Sequence, residues 1–162
     1  MSGANKEDKI ARRRLLLIDS SFLMLPVSGG KKRRPFNIED ALFQLSEGRT
    51  LAVLDTTIEE LEFLSRRKKG KKKLAADFAL EFIRKSRIKV IKSDERIVNE
   101  IKMQAEKMKG WEIHDEILAR MAKKLNAAVA TTDLELMHRL REMGVPVYYL
   151  RGRKWIFVSG GP

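Results

Sequence analysis

The segment AAVATTDLELMHRLREMGVPVYYL, residues 127–150, decides the fold. AAVATT (127–132) is an apolar run of strand length. Thr132-Asp133-Leu134-Glu135 has the pattern of a capping box and opens a helix to about Met143. Gly144 ends that helix, and VPVYYL, from Val145 to Leu150, is a second apolar strand. Strand, helix and strand in this order form one unit of a parallel sheet covered by helices on both faces.

The same alternation extends outward. LLLID (15–19) is a short apolar strand, and SGGKKRRP (28–35) is a Gly- and Pro-punctuated loop. Asn37 caps a helix through IEDALFQLSEG, ended by Gly48. TLAVLD (50–55) is the next buried strand. A helix follows from about Thr57 until the basic run and Gly70, and another covers Leu74 to Arg87. IKVI (88–91) is a strand. Ser93 caps a helix to about Lys109, closed by Gly110. A further helix runs from about Ile113 to Leu125, with Asn126 as its left-handed cap. RGRKWIFVSGGP (151–162) supplies an edge strand and a flexible end. The fold class is therefore α/β, with one domain over residues 14–158, a polar basic tail at 1–13 and a short end at 159–162. No GxxxxGK[ST] or GxGxxG occurs, so no phosphate cradle of those types is expected.

Composition narrows the function. The 162 residues suit one domain, and 43% apolar content marks a globular chain. Cysteine is absent, which removes disulfides, thiolate nucleophiles and zinc ribbons and fits a reducing compartment, hence the cytoplasm. No apolar run approaches the roughly 20 residues that span a bilayer. The basic N-terminus lacks the apolar segment of a secretory signal. Charged residues make up 35% against four Asn and two Gln, a thermophile-like balance that seven methionines fit less well. The net charge of +12 points to a polyanionic partner. The charge is clustered: Lys31, Lys32, Arg33 and Arg34 form one run, and Arg66, Arg67, Lys68, Lys69, Lys71, Lys72 and Lys73 surround Gly70 in the other.

Against this basic background, four acids stand at meaningful places. Asp19 ends the first strand among hydrocarbon, and a buried acid without a partner is costly. Asp133 lies just past the fourth strand. In open parallel sheets, ligands bind beyond the carboxyl ends of the strands where the order reverses. If strands one and four are neighbours across that point, the two acids face each other. Asp115 precedes Leu118, Ala119 and Ala122 and sits at the edge of a buried helix face. Glu60 likewise borders Phe63 and Leu64. Each acid also has a structural explanation, as a helix-terminus charge or a solvated side chain, and for Glu135 the capping box is the better one. Jointly they make a site. Clustered carboxylates raise one another's pKa unless a cation neutralises them, and oxygen ligands select Mg²⁺ or Mn²⁺. With cationic loops to hold a nucleic-acid backbone, the chemistry is phosphodiester hydrolysis.

The pieces LLLIDSSFLM, TIEELEFL and HDEILARMAKKLNAAVATTDLELMHRLREMGVPVYYLR, in this order over about 15–151, resemble PIN-domain nucleases. The final piece resembles archaeal PIN proteins related to small-subunit rRNA processing nucleases, with VapC toxins as the competing relatives. The resemblance implies a three-layer α/β/α fold of strand order 3-2-1-4-5 and a metal-dependent endoribonuclease. It maps the family's acids to Asp19, Glu60, Asp115 and Asp133, with Glu135 as an additional acid. The metal would be held by Asp19, Asp115, Asp133 and Glu135, with Glu60 as a ligand or as base for the attacking water. Ser20, Ser21, Thr131 and Thr132 match supporting polar positions. Family members often carry Asn where Ser21 and Thr132 stand.

The implied substrate is RNA, pre-ribosomal RNA in the processing reading, bound by the basic runs at 31–34 and 66–73. A toxin would require an antitoxin partner, and a third alternative is a non-catalytic RNA-binding assembly factor. Family analogy also raises a homodimer. A phosphatase with an acid after its first strand needs a second Asp two residues later, where Ser21 stands. His114 should point elsewhere on its helix than the adjacent Asp115, and His138 to solvent. Trp111 and Trp155 should pack on the sheet, Phe22 and Met24 beneath Asp19, and Met103, Met108, Met121, Met137 and Met143 in the core.

Overall fold

The computed structural model describes residues 15–28, 42, 48–86, 88–105, 113–151 and 154–158. In chain order the elements are β1 (Leu15–Ile18), α1 (Ser20–Leu23), α2 (Leu25–Ser28), β2 (Thr50–Leu54), α3 (Asp55–Arg67), α4 (Gly70–Lys85), β3 (Lys89–Ile91), α5 (Glu95–Gln104), α6 (Ile113–Leu125), β4 (Ala128–Thr131), α7 (Leu134–Glu142), β5 (Val147–Arg151) and β6 (Lys154–Val158). The sheet order is β3-β2-β1-β4-β5-β6. The first five strands are parallel, and β6 pairs antiparallel with β5 as the edge strand expected after residue 150. The fold is thus the expected α/β/α sandwich of order 3-2-1-4-5, with one strand added.

β1 sits at the middle because every residue in it is apolar. All four side chains are buried, and they alternate between two cores. Leu15 and Leu17 join Leu54, Val129 and the inner faces of α6 and α7. Leu16 and Ile18 join Phe22, Val53, Leu61 and the alanines of α4. A strand buried on both faces needs such a continuous apolar run. Leu17 pairs with Ala52 on one side and Val129 on the other, so the strand order reverses on either side of β1. The switch point predicted from the sequence is therefore at the end of β1, beside β4.

Several local expectations change. The basic run at 66–73 is mostly helical rather than a loop: Arg66 and Arg67 close α3, and Lys71–Lys73 lie in the first turn of α4. Lys and Arg are good helix formers. The break is confined to Lys68 and Lys69, followed by Gly70 at φ +66°, a backbone that favours glycine. The residue capping α5 is Asp94, whose side chain accepts from the Arg96 N–H; Ser93 is buried and donates its N–H to Asp55 Oδ1 at 2.9 Å. Asn126, at φ +54°, takes the left-handed role expected of it. The helix expected over 37–47 lies outside the described residues except Leu42, which is helical and buried. The basic run 31–34, Met108, Trp111, the Trp155 side chain and both chain ends also lie outside them.

The methionines divide. Met121 and Met137 are buried and Met143 packs against the same core, but Met103 is 85% exposed. Its helix, α5, buries only Ile101, so one narrow stripe faces the sheet and Met103 falls outside it. Met121→Ala should therefore cost about 2–5 kcal/mol, and Met103→Ala within about 0.5 kcal/mol of zero, as read by urea unfolding of the two variants.

Candidate functional site

The C-terminal ends of β1 and β4 are joined by a network built on one carboxylate. The Asp19 N–H donates to the Ala130 carbonyl at 2.9 Å, which extends the β1–β4 ladder to the acid itself. Asp19 Oδ2 accepts from Ser21 Oγ at 2.6 Å and from Thr131 Oγ1 at 2.8 Å. The two hydroxyls lie 3.4 Å apart. Ser21 Oγ also accepts the Thr132 N–H at 3.2 Å, and Thr131 Oγ1 the Asp133 N–H at 3.0 Å. Each hydroxyl thus donates to the acid while accepting from the β4–α7 connection. The network fixes the position of Asp133 relative to Asp19 across a sequence separation of more than 100 residues.

Asp19 stands at the N-cap of α1 but makes no side-chain capping bond to it, so capping does not explain the acid. Its side chain is buried, and burial pushes the carboxyl above the ordinary aspartate range. The hydrogen bonds from Ser21 and Thr131 oppose that rise, and the charge of Asp133 adds to it. Asp133 also acts on its own helix, where its Oδ1 accepts the Leu136 N–H at 3.2 Å and caps α7. The cap is therefore Asp133 rather than the Thr132 of the expected capping box. Glu135 becomes an exposed residue in the first turn. Ser20 is buried beside Asp19, and its backbone hydrogen bond favours the charged carboxylate.

Two helices bring further acids to the same edge of the sheet. α3 begins directly at the end of β2, and α6 runs back to the start of β4, so its first turn lies near the strand ends. His114 Nδ1 comes within 3.7 Å of Glu60 Oε2, joining the first turn of α6 to the second turn of α3. His114 thus faces Glu60, another of the candidate acids. Asp115 is half-buried next to it. His138 is exposed, as expected.

The buried acid that the sequence pattern did not single out is Glu116. Its Oε1 lies 3.1 Å from Arg120 Nε and 3.5 Å from Arg139 Nη2, with its side chain only 6% exposed. Arg120 also reaches Glu100 at 3.5 Å. These pairs tie the helix carrying Asp115 to the helix capped by Asp133, and to α5. The sequence signal was the Glu116–Arg120 spacing of one helical turn, with no indication that Arg139 would join it.

Among the described residues, no three of His, Asp and Glu stand together as a ready-made metal-ligand group. What the strands do collect is two carboxylates and two hydroxyls, an all-oxygen donor set. A divalent ion bound through one or two carboxylates, its own waters and substrate phosphate fits that set, and it would relieve the repulsion between Asp19 and Asp133.

Comparison with known proteins agrees with this architecture. No curated protein matches the chain in sequence. A chain of the VapBC2 complex from Rickettsia felis, solved bound to a DNA fragment from its promoter, superposes with a TM-score of 0.58 at 17% identity. That match covers 85% of this chain and 99% of the other, and shows a shared fold. A protein from Pyrobaculum aerophilum gives a TM-score of 0.49 at 20% identity, covering 78% of this chain and 80% of its own. The family described as the PIN-like domain matches residues 16–153. With its parallel sheet, its switch point between β1 and β4 and its acids at the strand ends, the chain belongs to the PIN-like domain family, whose members are typically nucleases.

Proposed function

We propose that this protein is a divalent-metal-dependent endoribonuclease that acts in the cytoplasm on ribosomal RNA precursors. The observation that carries the nuclease reading is the buried Asp19, held by two hydroxyls and coupled to Asp133 at the topological switch point. A pure RNA binder gains nothing from negative charge facing a phosphate, which argues against a non-catalytic assembly factor. The ribosomal substrate rests on the resemblance of residues 127–151 to small-subunit processing nucleases.

In this reading Asp19 and Asp133 hold the metal, Asp115 and Glu135 complete its surroundings, and Glu60 is the base for the attacking water. When bound, a Mg²⁺ or Mn²⁺ ion supplies an activated water and neutralises charge on the attacked phosphate. Ser21 and Thr131 are positioning residues that fix the Asp19 carboxylate. The cationic side chains of 66–73, all exposed, hold the RNA backbone, together with the run at 31–34.

Incubation of the full chain with precursor ribosomal RNA should give discrete fragments with Mn²⁺ or Mg²⁺ and none with EDTA. Undiminished cleavage in EDTA would remove the metal from the mechanism; binding without cleavage would leave the assembly-factor reading. Growth arrest on expression, relieved by a small co-encoded protein, would move the assignment to a toxin.

Thr131→Val should lower the cleavage rate about 10–100-fold, as loss of a group orienting a metal ligand does. It should also destabilise the fold by about 1–3 kcal/mol, because Asp19 Oδ2 loses a donor and the Asp133 N–H its acceptor. Initial rates and urea unfolding of the variant measure the two effects.

A further inference from the structure

α6 buries Glu116 in line with Ile117, Leu118, Ala119, Met121 and Ala122. Hydrocarbon fills every other buried position of that helix, and a well-packed apolar side chain at 116 would serve stability as well or better. The carboxylate is instead held by two arginines placed differently. Arg120 is one turn further along α6, its Nε 3.1 Å from Glu116 Oε1, so that pair stays within one helix. Arg139 lies on α7, its Nη2 3.5 Å from the same oxygen, so that pair joins two helices. A buried ion pair adds little to stability, and its best-attested use is to fix the register of the elements that carry it.

The two helices joined in this way both start at the site end of the sheet. Glu116 directly follows Asp115, and Asp133 caps α7. Arg139 is six residues after Asp133, about 9 Å along the helix, and helical side chains lean back toward the N-terminus. The contact therefore acts near the two acids rather than at the far ends of their helices. The hydroxyl network already fixes Asp133 against Asp19. We infer that Arg139 is a positioning residue for the metal site: by gripping Glu116 across the helix pair, it sets the distance between Asp115 and Asp133. A working site needs its groups held within about 0.5 Å, and Mg²⁺ in particular demands near-ideal geometry at about 2.0–2.1 Å from its ligands. Apolar packing between α6 and α7 tolerates a slip of that size; an ion pair anchored on a buried carboxylate resists it. The inference rests on the proposed reading of Asp115 and Asp133 as residues of a metal site.

The test compares Arg139→Gln with Arg120→Gln in the full chain, with Mn²⁺ binding read by electron paramagnetic resonance in the absence of RNA. Each variant removes one arginine and leaves Glu116 paired with the other, so the buried carboxylate keeps a partner and the fold is retained; urea unfolding checks this. Arg139→Gln should weaken Mn²⁺ binding about 10–100-fold, as loss of other groups that orient metal ligands does. Arg120→Gln loses the shorter contact, yet should leave Mn²⁺ binding near the wild-type value. Its two partners are Glu116 on its own helix and Glu100 on α5, which carries neither acid. In an Asp115→Asn background, Arg139→Gln should cause no further loss, because its effect passes through Asp115. A role in stability alone would instead make Mn²⁺ affinity follow the unfolding midpoints of the variants. Equal losses from the two arginines, wild-type affinity in Arg139→Gln, or a further loss in the Asp115→Asn background would overturn the positioning role and leave the metal reading in place. A wild type that binds no Mn²⁺ would remove both. If the binding pattern holds but no RNA is cut, the nuclease reading fails and the positioning role stands.

Discussion

Replacing Asp19 by Asn is expected to slow RNA cleavage more than about 100-fold and, at the same time, to raise the melting temperature. The first effect follows because groups that merely orient metal ligands are worth roughly 10–100-fold, and in the proposed site Asp19 is the acid they orient. The second follows from burial. Below the ordinary aspartate pKa of 3.8, the carboxyl is protonated in both the folded and unfolded chain and contributes nothing. Above 3.8 the unfolded chain ionises first, because burial holds the folded carboxyl's pKa higher. Stability therefore falls as pH rises from 3.8 to the raised folded-state value, and the loss is complete above it. Asparagine escapes that loss. The gap in melting temperature between variant and wild type should open with rising pH and then level off. Mn²⁺ should stabilise the wild type in proportion to its binding and leave Asp19→Asn largely unmoved. Scanning calorimetry across pH, with and without Mn²⁺, decides this; a variant that cuts at the wild-type rate would remove Asp19 from the chemistry.

The second large effect is at Asp133, where two substitutions separate charge from capping. Asp133→Asn keeps a good capping side chain for the Leu136 N–H but removes the charge. It should retain wild-type stability to within about 0.5 kcal/mol and lose more than about 100-fold in cleavage rate. Asp133→Ala loses both, adding a capping cost of about 0.5–2 kcal/mol. If the two variants cleave alike, and as fast as the wild type, Asp133 is only a helix cap. Because its charge also raises the Asp19 pKa, Asp133→Asn should lower the pH at which the decline in stability levels off, toward the ordinary aspartate value.

The fold was legible in the sequence because a parallel sheet writes itself as short apolar runs separated by helical periodicity. LLLI could be placed at the centre since nothing polar interrupts it, and α6 was readable to both ends from its apolar face and Asn126. Helix starts were harder, since two adjacent polar residues compete to cap. Thr132 and Ser93 each satisfied the local pattern, yet the residue after each is the one whose side chain reaches the second or third free N–H. Met103 looked like its neighbours because periodicity gives a stripe's direction, and only packing gives its width. In the site, Asp19 and Asp133 could be named from their positions at strand ends. The double use of Ser21 and Thr131, each donating to Asp19 and accepting from the opposite backbone, could not. Nor could the Glu116–Arg139 contact. Such pairings depend on which side chains meet across more than a hundred residues or between two helices, and local spacing carries no record of them.

The distance along the chain between the two halves of the Asp19 network also has a consequence during synthesis. Thr131, which completes the grip on Asp19, is 112 residues downstream of it. At a ribosomal rate of roughly 5–20 residues per second, about 6–22 s pass between making one and making the other. Until β4 arrives, β1 has a neighbour on only one side, and Asp19 lacks both Thr131 and Asp133. In the proposed reading, a protein that cuts RNA emerges from a machine made of RNA. The order of strands in this sheet keeps the Asp19 network unassembled until β4 has been built.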